Sequence, residues 1–290
     1  MKFTIIVAIL VLATSVSSFA RTTYNFNPEW RLFVGDPAGA ESVGFDDSSW
    51  KSITLPRPWN EDEAFRKDIK DLSTGIAWYR KHFRLPADAK DKKVFVEFEG
   101  VRFAGEVYLN GKFIGRHENG ITAFGFDITD GLVPGDNVIA VRTDNSWDYK
   151  EKATGSVYQW NDKNFNANYG GIHKNVRLHI ADKLYQTLPL YTNLQTTGVY
   201  IHASEIDVKS KSAEVTVEAQ IRNEYPTAKS FGFEVTIADL NGRVVKKLNG
   251  PRHSIAAGET KTIAAADSVT GLNFWSWGYG YLYTVTTDLK

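Results

Sequence analysis

Apolar and polar residues alternate with period two through most of the chain. Val94, Val96 and Phe98 fall on one side of a run whose other side carries Phe95, Glu97 and Glu99. Val107 and Leu109 alternate with Glu106, Tyr108 and Asn110, and the stretches 137–143 (NVIAVRT) and 174–180 (KNVRLHI) read the same way. Further along, Val215, Val217, Ala219 and Ile221 alternate with Glu214, Thr216, Glu218 and Gln220; Phe231, Phe233, Val235 and Ile237 alternate with Gly232, Glu234 and Thr236. Successive side chains of a strand point to opposite faces, so each run predicts a strand with one buried side. Asn110-Gly111 and Asn241-Gly242 suit the positive φ angles of tight hairpin turns. No long helical stripe with caps follows residue 20. Many short strands punctuated by Gly, Pro and Asn predict an all-β protein of the sandwich or jelly-roll kind.

Composition divides this pattern. Six of the eight Trp fall between residues 30 and 160 and none between 161 and 274. Residues 21–183 are therefore expected to form one β-sandwich and residues 195–290 a second, of the size of an immunoglobulin-like domain. Between them, 184–194 (LYQTLPLYTNL) is too apolar for a loose tether and is expected to pack against both.

The first twenty residues carry one charge, Lys2, then an apolar run of eleven from Phe3 to Ala13, then Ser17-Ser18-Phe19-Ala20. This predicts a secretory signal peptide over 1–20; the run is short of the roughly twenty residues a spanning helix needs. A secreted or periplasmic bacterial protein is expected, with no membrane span once the signal is removed. Lys+Arg and Asp+Glu are both 34, and this balance argues against nucleic acid as a partner. The absence of cysteine excludes a disulfide framework, a thiolate metal site and a cysteine nucleophile. The six histidines make no metal-ligand spacing, and neither a nucleophile elbow nor a phosphate-binding glycine loop occurs. No cofactor is implied.

Several stretches carry a family resemblance, in order. Leu55-Pro56 with Trp59-Asn60, 75–83 (GIAWYRKHF), 98–147 (from Phe98 to Trp147), 169–178 (YGGIHKNVRL) and 274–285 (FWSWGYGYLYTV) are similar to segments of glycoside hydrolase family two, the family of β-galactosidases, β-glucuronidases and β-mannosidases. The resemblance covers about residues 28–290. It implies a jelly-roll-like galactose-binding sandwich followed by an immunoglobulin-like sandwich. Arg57-Pro58 and His173-Lys174 depart from residues common in that family. The stretch 148–168 looks most like secreted Bacteroidetes-type β-galactosidases.

In that family catalysis sits on a (β/α)₈ barrel of about 250 residues that follows the second sandwich, with two glutamates about 5–5.5 Å apart for retention. The sequence leaves no room for such a barrel by Lys290. No catalytic residue is therefore assigned, and the expected reading is the non-catalytic front of a retaining β-glycosidase, with a β-linked glycoside as substrate through the barrel. β-Galactosidase is the favoured activity, and homo-oligomerisation of the full enzyme is a further expectation. The alternative is a free-standing carbohydrate-binding or interaction protein.

The segment from Trp147 to Tyr169 interleaves six aromatics with short amides and carboxylates. Flat rings complement the C–H faces of a sugar, and amides or carboxylates complement its hydroxyls. The resemblance adds that the corresponding loop reaches towards the barrel. Trp160, Asp162 and Asn164 are the substrate-binding candidates, with Asp71 as a second carboxylate. An exposed apolar patch is expected on this loop and on 184–194, where a following domain would sit. The aromatics from Phe274 to Tyr283 are expected to pack the second sandwich and its contact with that domain.

Overall fold

The computed structural model describes residues 21–61, 74–157 and 169–290. All strand pairings in it are antiparallel. Among the described residues the longest helix is the four-residue turn Tyr191–Leu194. The fold is all-β, a jelly-roll-like sandwich followed by an immunoglobulin-like one.

The first sandwich faces a four-stranded sheet against a six-stranded one. The four-stranded sheet orders Arg21–Asn25, Val176–Ala181, Lys93–Phe98 and Phe124–Asp127. The six-stranded sheet has Ile76–Phe83 and Asn137–Asp144 at its centre, flanked by Trp30–Val34 on one side and Ala104–Leu109 on the other. Between the sheets lie Trp30, Tyr79, Val96, Phe98, Val107, Phe124, Ile139 and Val141, all buried. Trp30 satisfies its indole N–H on the Phe26 carbonyl at 2.8 Å. Asn110 and Gly111 take φ of 49° and 80° in the hairpin between Leu109 and Lys112, as the dipeptide predicts.

The strand Ile76–Phe83 is buried on both faces. Ala77 and Tyr79 face the sandwich core, while Trp78 joins Ala40, Trp50 and Ala140 in a separate apolar cluster outside it. The covering segment brings Asp47 to Arg80, whose guanidinium is fully buried. Arg80 Nε donates to Asp47 Oδ2 at 2.8 Å, and its Nη1 to the carbonyls of Ser42 at 3.0 Å and Ala40. A buried cation persists only when paired in this way.

The second sandwich follows the alternation read from the sequence. Ser212–Asn223 sits between Val199–Asp207 and Thr260–Thr270, and Lys229–Ala238 between Val244–Ile255 and Thr284–Leu289. Val217, Ala219 and Ile221 face Phe231, Phe233, Val235 and Ile237 in one core.

The junction is packed. Leu184, Tyr185, Leu188 and Leu190 are buried, and Tyr185 lies against Phe95 with ring centroids 5.4 Å apart. Leu190 seats over Gly125, where an added Cβ would come within 2.5 Å of Leu190 Cδ1 and 2.7 Å of the Val96 carbonyl oxygen. Lys93 of the first sandwich reaches Asp127 at 2.5 Å and Glu224 of the second at 2.9 Å, and the Tyr185 hydroxyl donates to Glu224 at 2.8 Å. Burial opposes the charge on Lys93, but these hydrogen bonds more than offset it and raise its pKa.

This corrects the expected exposed patch on 184–194: apart from Tyr191, its large side chains are turned inward. The aromatics near residue 280 divide into two groups. Phe274 and Tyr283 pack against the second core, but Trp275 is 65% and Trp277 96% exposed. Their loop spans a turn closed by Ser276 and Tyr279, and the preceding Leu272 bonds Lys211, at the end of Ser212–Asn223 remote from the junction. Ile206, Val208 and Leu240 are exposed there as well.

Candidate functional site

At the opposite end of Lys93–Phe98 from the junction, three two-residue strands form a small sheet. Gly171–Ile172 pairs with Arg57–Pro58 on one side and with Val101–Arg102 on the other. Both segments that carried the candidate residues spring from this sheet. Asn60 and Gly75 flank the first and Gly170 closes the second, and their hydrogen bonds tie them together.

Asn145 is the hub. Fully buried, its Oδ1 accepts from the Trp59 indole at 3.3 Å and from the Gly75 amide at 3.2 Å, and its backbone N–H donates to the Gly75 carbonyl at 3.0 Å. The Gly170 amide donates to Asn60 Oδ1, and the Trp59 amide to the Gly170 carbonyl, both at 2.9 Å. Gly170 has no substitute here: a Cβ would lie 2.1 Å from Trp59 Nε1 and 2.6 Å from Asn145 Oδ1. Gly171 has φ of +98°, and a Cβ on it would meet the Tyr79 hydroxyl at 2.1 Å. That hydroxyl donates to the Arg57 carbonyl at 2.8 Å, and burial pushes its pKa far up, so it stays a donor.

Past Asn145 the chain turns back on itself. Tyr149 is buried and its hydroxyl bonds Glu118, whose Oε1 also accepts from the Lys152 amide at 2.9 Å. Burial, and then this hydrogen bond, push the Tyr149 hydroxyl up as well. Tyr149 is therefore an anchor of the segment rather than a sugar platform. Trp147 and Tyr169 are half-buried at its two ends. Trp160, Asp162, Asn164 and Asp71 lie outside the described residues. The described structure brings together the roots of their two segments, at Asn60, Gly75, Asn145 and Gly170.

Arg102, His173 and Lys174 border this sheet. The Arg102 stem lies across Gly120, where a Cβ would come within 3.0 Å of its Cγ; Lys174 and His173 lie across Gly100, at 2.9 and 3.2 Å by the same measure. Burial first, and then the charges of Lys174 and Arg102, push His173 below its ordinary value despite a hydrogen bond to the Gly171 backbone. Sequence reading noted His173-Lys174 only as a departure from a family pattern and passed over Arg102 and Asn145. Among the described residues no group of three or more His, Asp or Glu is placed to hold a metal. A cleft of about 930 Å³, lined by Arg84, Pro86, Lys92, Lys93, Lys183 and Glu224 among others, lies at the junction end, away from these loops.

Comparison with known proteins covers nearly the whole chain. The glycosyl hydrolase 2 galactose-binding domain-like family matches residues 60–182, and glycosyl hydrolases family 2 matches 197–290. A β-glucuronidase of Formosa agariphila is 37% identical over 284 residues, 95% of this chain and 28% of the relative. The β-galactosidase BoGH2A of Bacteroides ovatus is 28% identical over 93% of this chain and 30% of its own length. The structure of a β-glucuronidase from glycoside hydrolase family 2 superposes with a TM-score of 0.86 at 36% identity, over 95% of this chain and 29% of that one. A Bacteroides uniformis β-glucuronidase gives 0.78 at 28% identity, over 93% and 30%. The chain thus spans less than a third of the length of these relatives. Two adjoining domains of one family, matched end to end and seen again in the superposed structures, place it: the chain belongs to glycosyl hydrolase family 2.

Proposed function

We propose that this chain is the non-catalytic front region of an exported, retaining β-glycosidase. The observation that carries the reading is the pair of family-2 domains covering less than a third of each relative, with two loop roots gathered on one small sheet. In this reading the loops bearing Asp71 and Trp160, Asp162 and Asn164 border a sugar held by a following catalytic domain. The buried Asn145 hub fixes where those loops start. Galactoside is the preferred substrate on the sequence of 148–168; glucuronide is the competitor, since relatives of both names are similar to this chain. The export signal over 1–20 belongs to the same proposal, and no helix among the described residues is long and apolar enough to cross a membrane.

The test is expression of the chain together with whatever the locus encodes beyond codon 290, assayed on aryl β-galactoside and aryl β-glucuronide. Hydrolysis by the longer protein and none by residues 21–290 alone supports the reading. Turnover by residues 21–290 alone, or an in-frame stop after codon 290, overturns it and favours a free-standing binding protein.

A further inference from the structure

Among the described residues, Arg102 and Lys174 beside the small sheet have no carboxylate partner. Arg102 sits directly opposite Gly171, its stem over the Gly120 backbone and its guanidinium 5.3 Å from the Phe103 ring. Among the described residues no carboxylate pairs with it, although burial lowers its pKa. Lys174 is exposed and its Nζ donates only to the Ile121 carbonyl, at 3.1 Å. The nearby acids are engaged elsewhere: Glu99 with Asn175 and Arg177, and Glu118 with Tyr149 and Lys152. Most arginines of this sandwich pair with a carboxylate, as in Arg80–Asp47, Arg84–Asp136, Arg116–Glu106 and Arg142–Asp36, while Arg21 and Arg31 donate to backbone carbonyls. Arg102 makes neither kind of contact among the described residues, and it lies where two loop roots meet.

The backbone beneath these side chains is glycine. Gly100 and Gly120 leave no Cβ under Lys174 and Arg102, so both stems lie flat on the main chain. Arg102 lies over Gly120 and the Lys174 ammonium on the carbonyl of the next residue, Ile121, and the charges of both act on His173, with the half-buried Tyr169 beside Arg102. Beside them His173 has Nδ1 buried without a partner among the described residues, and burial lowers its pKa. A planar guanidinium with free donors and a nearby ammonium match the geometry of an oxyanion, and a half-buried setting strengthens the attraction over that in water.

We propose that Arg102 and Lys174 form a binding site for an anionic group carried by a saccharide, a carboxylate or a sulfate, beside the roots of the two loops. It deepens the glycosidase reading by placing an acidic group on the glycan that presents the scissile galactoside or glucuronide, and rests on that reading only for its biological sense. The binding itself is a property of the present chain.

The experiment measures binding of fluorescent oligosaccharides of matched length to this chain by anisotropy at low ionic strength. The probes are unsulfated chondroitin (carboxylate), sulfated dextran (sulfate) and plain dextran (neutral). One or both acidic probes should bind, weakening as salt is raised, and plain dextran should not. Loss of two charge-assisted contacts in R102A/K174A should weaken binding about tenfold or more. K174E, at an exposed position, should do the same if R102A/K174A proves unstable. K209A/K211A, on the second sandwich, should change nothing. Chondroitin alone binding assigns a uronate, and sulfated dextran alone a sulfate ester. No binding of either acidic probe, equal binding of plain dextran, or binding insensitive to R102A/K174A and K174E overturns the proposal. None of these results depends on hydrolysis by a longer protein.

Discussion

The Trp59 indole donates to Asn145 Oδ1 across 86 residues of sequence, at 3.3 Å, inside a protein where Asn145 has no exposed surface. The same oxygen takes the Gly75 amide. Replacing Asn145 with Ala strands both donors at once. A buried donor without a partner costs about 1–3 kcal/mol, so N145A should lose stability in that range. Urea unfolding measures it, with an unchanged m-value expected if the loss is local. In a barrel-containing enzyme the same variant should raise KM more than it lowers kcat, because in the proposed reading it loosens loops that border the sugar.

Lys93 couples the two sandwiches through Asp127 and Glu224. Its removal in K93A leaves two carboxylates facing each other. Complete burial would make this cost about 3–5 kcal/mol, and the partial exposure of both acids brings the expectation nearer 2. Scanning calorimetry should show the loss, with the two sandwiches melting as separate transitions where the wild type melts as one.

The Asp47 carboxyl has a pKa below its ordinary value: burial raises it, but hydrogen bonds from Arg80 and His82, helped by their charges, lower it further. A carboxyl depressed on folding contributes stability that is present above its unfolded pKa of about 3.9 and is lost as pH falls through the folded value. D47N lacks that contribution at every pH and leaves the buried Arg80 without an anion. The Tm gap between wild type and D47N should therefore be widest near neutral pH and narrow below about pH 4. A gap independent of pH would remove Asp47 from the acid response.

Trp277, at 96% exposure, makes no contribution to the second core. W277S should leave thermal stability within about 0.5 kcal/mol, the range for surface changes. Acrylamide should quench the fluorescence it removes almost as efficiently as that of free tryptophan.

The second sandwich was largely legible because each of its strands has one wet face. Phe231, Phe233, Val235 and Ile237 alternate in sequence and all four lie in the core. In the first sandwich that rule fails on Ile76–Phe83, where Trp78 and Arg80 face a covering loop instead of water. Period two cannot announce a strand with both faces buried. The candidate site was legible only as far as its loops. Sequence named Trp160, Asp162, Asn164 and Asp71, which lie outside the described residues; their common root at Asn145 and Gly170 depends on hydrogen bonds between positions 70 to 111 residues apart. Arg102 carries no sequence signal, since only the fold reveals that no carboxylate among the described residues pairs with it.

The junction and the loop roots occupy opposite ends of Lys93–Phe98, and Lys290 pairs with Gly232 on the second sandwich, with Thr287 bonded to Gln186 beside the junction. A strand of six residues is about 20 Å long. A catalytic body joined after Lys290 would therefore start near the waist of the molecule. If, as proposed, it reaches the loops, it would lie back along the flank of the first sandwich, and the whole enzyme would be a closed U and not a row of beads. Small-angle scattering would separate these outlines at a glance: the folded-back form has a maximum dimension shorter by most of one domain.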